Sequence, residues 1–339
     1  MTDGHLCMID ASHVSLSEIR AAAGRLTGRA SRTPLEMSRA LSRGAGVPVY
    51  LKLETRQITG SFKFRGATNA VLSLADAERA AGVVAVSTGN HGRGLARAAS
   101  EAGVRCVIAM SRLVPENKVE GIRNEGAEVL ISGASQDEAQ LEVDRLVAGG
   151  MTMLPPFDHR DIIAGQGTIG LEILEDLPDV ATVLVPLSGG GLISGVAAAI
   201  RSQRPEVRII GVSMERGAAM QASLAAGHPV EVEELPTLAD SLGGGIGLHN
   251  AHTFAMVRDL VKDVVLLDES EIAAGIRHCY WEERQIVEGA GAVCVAALLS
   301  GKVRSEGPVV AVLSGANIDM KLHHRIVSGE TVDIAGEAA

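Results

Sequence analysis

Aromatic residues are nearly missing from this chain: 4 Phe, 2 Tyr and 1 Trp among 339 residues. A core without rings has to be filled by Ala, Val, Leu and Ile, which suits closely packed α/β layers. Cysteine is as sparse. Cys7, Cys106, Cys279 and Cys294 are scattered without C-x-x-C spacing, which argues against a disulfide frame or a zinc ribbon and for reduced thiols in a cytoplasmic protein. Long apolar runs are absent. None approaches the roughly 20 residues needed to span a bilayer, and MTDGHLCMIDASHVS at the start lacks the charged-then-apolar order of a secretion signal. Basic charge is short too, with 31 Lys and Arg against 41 Asp and Glu and a net charge of −10. No basic patch stands out, so neither nucleic acid nor a membrane is expected as a partner.

What is present is the composition of a globular protein, 46% hydrophobic and 21% charged. The length predicts two lobes rather than one core or three. From residue 83 short β-rich runs alternate with helical stretches. VVAVS (83–87), VRCVIAM (104–110) and AEVLIS (127–132) read as strands. Between them lie a helix after TGNHG, a helix ENKVEGIRNEG stopped by Gly126, and beyond them SQDEAQLEVDRLV, started by an N-cap Ser135. A second series follows PPFDHRD: TVLVPLS (182–188), LISGVAAAIRSQ, RIIGVSM (208–214), then DVVLLD, SEIAAGIRHCYWEER, GAVCVAALLSG and PVVAVLSG continue the alternation. Apolar strands alternating with helices predict an α/β fold of parallel-rich twisted sheets flanked by helices, in two lobes with a ligand cleft between them. No internal repeat or low-complexity tract interrupts it.

Ligands of open α/β sheets sit at strand ends, and three ends are unusual. STGNHG (87–92) leads small polar residues into a helix N-terminus, a place for a carboxylate, or simply a capped turn. SGGGLISG (188–195) puts three glycines before a helix, which suits a phosphate. Gly189, Gly191 and Gly195 also make a variant dinucleotide fingerprint, with Glu215 placed where a ribose-binding acid would stand. VLSGAN (312–317), taken alone, reads as a helix N-cap. A nicotinamide dinucleotide, however, has no use for Lys63. Two of the four phenylalanines, Phe62 and Phe64, flank that lysine. A lone lysine is ordinarily a solvated surface residue, but apolar neighbours desolvate an ammonium, lower its pKa and expose a nucleophilic amine. A nucleophilic lysine with a separate phosphate cradle is what pyridoxal 5'-phosphate requires.

On RTPLEMS (32–38), TGSFKFRGATNA (59–70), STGNHGRGLA (87–96), IIAGQGTIGLEIL (162–174), SGGGL (188–192), EGAGAV (288–293) and LSGAN (313–317), the sequence resembles the fold-type II pyridoxal-phosphate enzymes, within them the serine/threonine dehydratase and serine racemase branch. The resemblance implies a two-lobed fold like that of the tryptophan synthase β-subunit, with the cofactor in the interdomain cleft. A large cofactor-binding domain would take residues 1–50 and 156–328, a small domain 51–155, and a tail 329–339. The resemblance makes Lys63 the Schiff-base lysine and the proton acceptor at Cα, and sets Phe62 beside the cofactor ring. Asn90 would bond the ring's 3'-oxygen, Ser188, Gly189, Gly190, Gly191 and Leu192 would hold the phosphate, and Ser314 would face the pyridine nitrogen. Ser87, Thr88, Gly89 and His91 would line the substrate carboxylate site. A neutral serine at the ring nitrogen makes a weaker electron sink than an aspartate-paired ring, which favours β-elimination over transamination. Racemases resembling this loop carry a second serine where Thr88 stands, so lyase activity with little racemisation is expected. The resemblance also raises a divalent cation, but Ser213, Gly217 and Ala219 stand at the expected ligand positions; Glu215 is the one substitute, and no metal is expected. His249 and His252 lack a third ligand for zinc.

SRLVPENKVEGIRNEGAEV (111–129), SQDEAQLEVDRLV (135–147), GVSMERGAAM (211–220) and ADSLGGGIGLHN…YWEERQIVEGAGAV (239–293) further resemble the hydroxyectoine-utilisation dehydratases. That resemblance implies a β-hydroxy-α-amino acid substrate from hydroxyectoine breakdown, converted to a 2-oxo acid and ammonia. The alternatives are a generalist L-threonine/L-serine dehydratase, a β-replacement synthase, and a non-catalytic amino-acid-binding protein. SFKFRG with IIAGQGTIGLEIL favours the dehydratases over the synthases, and the presence of Lys63, Asn90, Ser188 and Ser314 argues against an idle site. A homodimer or homotetramer is implied by the resemblance. With little chain beyond the core, feedback by isoleucine is not expected.

Overall fold

A computed structural model describes residues 13–114, 116–332 and 334. The N-terminal stretch expected to carry no secretion signal falls mostly outside the described residues, as do Cys7 and residues 333 and 335–339 of the expected 329–339 tail. In chain order the elements are α1 (Leu16–Leu26), β1 (Leu35–Ser38), α2 (Arg39–Ala45), β2 (Val49–Leu53), α3 (Lys63–Ser73), α4 (Asp76–Ala81), β3 (Val83–Val86) and α5 (Asn90–Ala102). There follow β4 (Cys106–Met110), α6 (Glu116–Arg123), β5 (Glu128–Ile131), α7 (Gln136–Ala148), β6 (Thr152–Met153), α8 (Arg160–Asp176), β7 (Thr182–Pro186) and α9 (Gly191–Arg201). The last are β8 (Arg208–Met214), α10 (Ala219–Ala226), α11 (Thr253–Leu260), β9 (Asp263–Leu267), α12 (Glu269–Trp281), α13 (Gly289–Leu299), β10 (Val309–Leu313) and α14 (Met320–Val327).

The strands form two sheets. One has six strands in the order β1-β2-β10-β7-β8-β9, the other four in the order β5-β4-β3-β6. Among the described residues every pairing between these strands is parallel except β1 with β2. Alternation along each strand divides its side chains between two cores. Leu51, Leu184, Ile210, Val212 and Ala311 face one core, packed with α12 and α13. Val183, Val185, Ile209, Val310 and Val312 face the other, packed with α9. The four-stranded sheet does the same: Val83, Ala85 and Ile108 meet α3 and α5, whereas Val84, Val107 and Ala109 meet α7.

Three elements depart from the sequence expectation. β1 is an antiparallel edge strand whose half-exposed residues give no apolar signal. GAVCVAALLSG forms helix α13, so α12 and α13 follow one another and the strand–helix alternation breaks there. Its residues 289–297 are buried on every side, and an all-apolar run carries no periodicity to tell helix from strand. VLSGAN starts no helix; the next one, α14, begins at Met320 under an Asp319 cap. The expected domain boundary at 50/51 falls inside β2, which runs to Leu53 within the six-stranded sheet. Ser135 does cap α7, accepting from the Glu138 N–H. Among the described residues no helix is long and apolar enough to cross a membrane.

Candidate active site

The loop before α3 is tied to the end of β10. Phe62 N–H donates to the Ser314 carbonyl at 3.0 Å, Ala316 N–H donates to the Gly60 carbonyl at 2.9 Å, and Ser61 bridges Gly315. This places Lys63, the first residue of α3, where the two sheets' bodies meet. The two phenylalanines explain themselves here. Phe64 is fully buried in the core of the four-stranded body, and Phe62 packs on the core of the six-stranded body. The scarce rings are wedges driven in opposite directions on either side of the lysine.

The Lys63 ammonium lies 5.3 Å from the Phe62 ring centroid and donates to the Pro156 carbonyl at 2.7 Å. Burial pushes its pKa down to about 8, while the nearby Glu288 pulls it up. Glu288, the residue before α13, is buried, and burial pushes its carboxyl up to about 7, helped by Asp240. It accepts from Asn90 Nδ2 at 2.7 Å, and Asn90 Oδ1 accepts from Asn317 Nδ2 at 2.6 Å. Asn317 Nδ2 also donates to the Thr59 carbonyl at 2.9 Å. One amide on α5 is thus bonded to two residues of the six-stranded body.

Ser87 Oγ accepts from the Gly92 N–H at 2.9 Å and the Gly89 N–H at 3.4 Å, closing the loop that leads into α5. Thr88 and Gly89 are half-exposed, and a Cβ added to Gly89 would meet nothing within 4 Å. His91 is buried; its Nε2 donates to the Leu154 carbonyl at 2.8 Å, and its buried Nδ1 has no partner among the described residues. Burial first, then the Lys63 charge, push its pKa down to about 3, so the imidazole is neutral with Nδ1 as an acceptor.

The glycine loop after β7 leads into α9. A Cβ on Gly189 would lie 2.3 Å from Phe157 Cδ1, and one on Gly191 2.9 Å from Phe157 Cα and O. Gly190 has φ +89°, a left-handed conformation that glycine adopts freely. The loop admits no side chain, and among the described residues the N–H groups of Gly189, Gly190, Gly191 and Leu192 find no protein acceptor. This is a cradle for an oxyanion at a helix N-terminus. It adjoins the lysine through the chain itself, because Pro156 accepts from Lys63 and Phe157 packs on the glycines. Gly195 serves packing instead. A Cβ there would lie 2.3 Å from the Ile163 carbonyl oxygen and 2.6 Å from the Gly167 nitrogen, where α9 closely approaches α8.

The structure therefore brings together Lys63, Phe62 and Ser314, and joins Asn90 to Glu288. Glu288, Pro156, Phe157 and Asn317 were missed as individual site residues. The sequence signal for Glu288 was present, an acid opening the EGAGAV run in an otherwise apolar neighbourhood. Ser213 is buried with its hydroxyl on Met214 Sδ, and Glu215 is exposed. Among the described residues no group of three or more His, Cys, Asp or Glu is placed to hold a metal ion.

The family model described as "Pyridoxal-phosphate dependent enzyme" matches residues 26–315, which overturns the dinucleotide reading of the glycine loop. A Sinorhizobium fredii protein named provisionally as a threonine dehydratase is 61% identical over 324 residues, 95% of this chain and 98% of the relative. The L-threonine ammonia-lyase of Thermotoga maritima is 44% identical over 93% of this chain and 78% of its own length. Among solved structures, maize serine racemase superposes with a TM-score of 0.87 at 33% identity, covering 92% of this chain and 96% of the other.

Proposed function

The chain belongs to the pyridoxal-phosphate-dependent enzyme family, and from that premise we propose that it eliminates water from a β-hydroxy-α-amino acid and releases a 2-oxo acid and ammonia. It is a threonine-dehydratase-like lyase whose cofactor is pyridoxal 5'-phosphate. The site fits that group: a side-chain-free N–H cradle suits the phosphate, and a desolvated lysine amine suits the aldehyde. The observation that carries the reading is this pairing of Lys63 with the 188–192 cradle through Pro156 and Phe157.

In this reading Ser188, Gly189, Gly190, Gly191 and Leu192 hold the phosphate and Phe62 flanks the ring. Asn90 offers its second Nδ2–H to the 3'-oxygen, and Ser314 faces the ring nitrogen. Bound there, the cofactor supplies an electron sink for the substrate's α-carbon. Lys63, neutral in a useful fraction at mildly alkaline pH because it is desolvated, takes the α-proton. Ser314 brings no charge to the ring nitrogen, which favours prompt loss of the β-hydroxyl. Ser87, Thr88, Gly89 and His91 line the carboxylate site. His91 is neutral there, so the N–H groups at the start of α5 counter the carboxylate, and no imidazolium does.

The relatives' names support L-threonine as a substrate, and L-serine is the shorter β-hydroxy-α-amino acid open to the same elimination. A second reading, a diamino acid from opened hydroxyectoine, is favoured by one observation. Two of the segments resembling that subfamily bring Lys118 and Asp240 together across the two bodies at 3.5 Å, and both act on the pKa of Glu288. Segments that carry the resemblance thus lie within electrostatic reach of Glu288. A homodimer or homotetramer in the cytoplasm completes the proposal. The test is ammonia and 2-oxo acid release from L-threonine, L-serine, threo-3-hydroxyaspartate and ring-opened hydroxyectoine, with Lys63→Ala as the blank. Preference for the hydroxyectoine product selects the second reading, and preference for threonine or serine the first. Turnover by Lys63→Ala at the wild-type rate refutes both.

A further inference from the structure

Arg65, two residues beyond Lys63, takes part in none of the roles above. It is 2% exposed. Its Nε donates to Glu54 Oε2 at 2.8 Å and a terminal nitrogen to Glu54 Oε1 at 2.9 Å. The terminal nitrogens also reach Glu172 Oε1 at 2.6 Å and Oε2 at 2.9 Å. The Ser31 carbonyl at 3.1 Å, the Thr168 hydroxyl at 3.2 Å and the Thr33 hydroxyl at 3.4 Å also accept from Arg65. A second buried cation, Lys52, donates to Glu172 Oε2 at 2.5 Å and to the Thr33 carbonyl at 2.7 Å. Two cations and two carboxylates balance. Glu54 follows β2, Glu172 and Thr168 lie on α8, and Ser31 and Thr33 precede β1, so every partner lies outside the four-stranded sheet and its connecting helices.

Clusters of buried charge are poor stabilisers, because desolvation offsets most of the Coulomb attraction. What a guanidinium gripped by two carboxylates provides is a fixed geometry. Here the grip falls on the first turn of α3, whose first residue is Lys63, while the next residue, Phe64, is buried in the opposite body. We propose that Arg65 is a positioning residue that fixes the first turn of α3 to the six-stranded body and so keeps Lys63 in register with the 188–192 cradle and Ser314.

The inference rests on Lys63 being the working amine. Arg65→Lys keeps the charge and loses the fork; Glu172→Gln keeps the Glu54 half of the grip and loses the other charge. In the cofactor-free protein, the pH midpoint for acylation of Lys63 by an amine-directed reagent, followed by mass spectrometry, reads the amine's placement without any turnover. In the loaded enzyme, kcat and KM are measured, and Tm is recorded for both. Arg65→Lys is expected to raise the acylation midpoint and lower kcat about 10- to 100-fold, as for a displaced reacting group, with KM changed less than about twofold. A lowered Tm with a wild-type midpoint and kcat would make the cluster structural and overturn the proposal. Should Arg65→Lys not fold, Glu172→Gln decides by the same two readouts, with smaller changes expected in the same directions. Loss of the lyase reading itself would show differently, as turnover surviving Lys63→Ala while Arg65→Lys still shifts the acylation midpoint.

Discussion

Gly189→Ala isolates the oxyanion cradle from the rest of the site. The added methyl would stand 2.3 Å from Phe157 Cδ1, 2.4 Å from Cγ and 2.5 Å from Cε1. An ordinary carbon–carbon contact is about 3.5–4.0 Å, so the overlap exceeds an ångström and one of two things has to yield. Either the Phe157 ring turns away or the glycine loop moves. Inserting a methyl into a filled core costs about 1–3 kcal/mol. Charged to cofactor binding, that is about a 5- to 150-fold rise in Kd. The assay is titration of the cofactor-free protein with pyridoxal 5'-phosphate, followed by absorbance, with Tm measured on the unloaded protein alongside. Phe157→Ala removes the obstacle, so the double variant is expected to recover most of the affinity that Gly189→Ala loses. A Gly189→Ala protein that binds cofactor like the wild type would refute the reasoning, because the loop would then tolerate a side chain where a phosphate is supposed to rest.

Two other outcomes are expected. The cofactor-free protein's stability should carry a term that falls as pH rises from about 4.5 to about 7, because Glu288 holds its proton in the folded state after the unfolded chain has released it, opposed below about 6.5 by a rising term from His91, which the fold keeps neutral down to about 3. It should rise again between about 8 and 10.5, where the unfolded chain still protonates Lys63 and the folded one does not. Thermal melts across this range check both limbs, and Glu288→Gln should remove the acidic one; an unchanged acidic limb in that variant contradicts the assignment. Thr88→Ser should raise racemisation relative to elimination, read by chiral chromatography of recovered substrate; a ratio equal to wild type would mean that the extra methyl is not what restrains reprotonation.

Lys63 and the glycine loop were legible in the sequence because their chemistry is local. Three glycines before a helix and a lysine between two rings are each visible within a window of eight residues. What was not legible is what a fold assembles from distant segments. Arg65 and Glu172 are 107 residues apart and Asn90 and Glu288 are 198 apart; each alone reads as an ordinary polar residue. The same limit explains Phe157, which in sequence is one apolar residue after two prolines and in the structure is the wall behind Gly189. The six-stranded and four-stranded sheets were foreshadowed by the alternation. β1 was not, because an edge strand with exposed side chains carries no hydrophobic period.

The pairing of β10 with β2 has a consequence for how the protein comes into being. Val309 to Leu313 lie beside Val49 to Leu53, about 260 residues earlier in the chain, whereas the four-stranded sheet is drawn from one continuous stretch, residues 83–153. As the polypeptide leaves the ribosome, the smaller sheet can close on itself long before its partner is complete, since domains tend to fold as they emerge. The larger sheet has to wait for one of its central strands, a contact of very long range and correspondingly slow to find. The loop carrying Lys63 waits with it, because its anchors are the Ser314 carbonyl and the Ala316 N–H just past that strand. A truncated product ending before residue 309 is therefore expected to lack the anchors of the loop that carries Lys63.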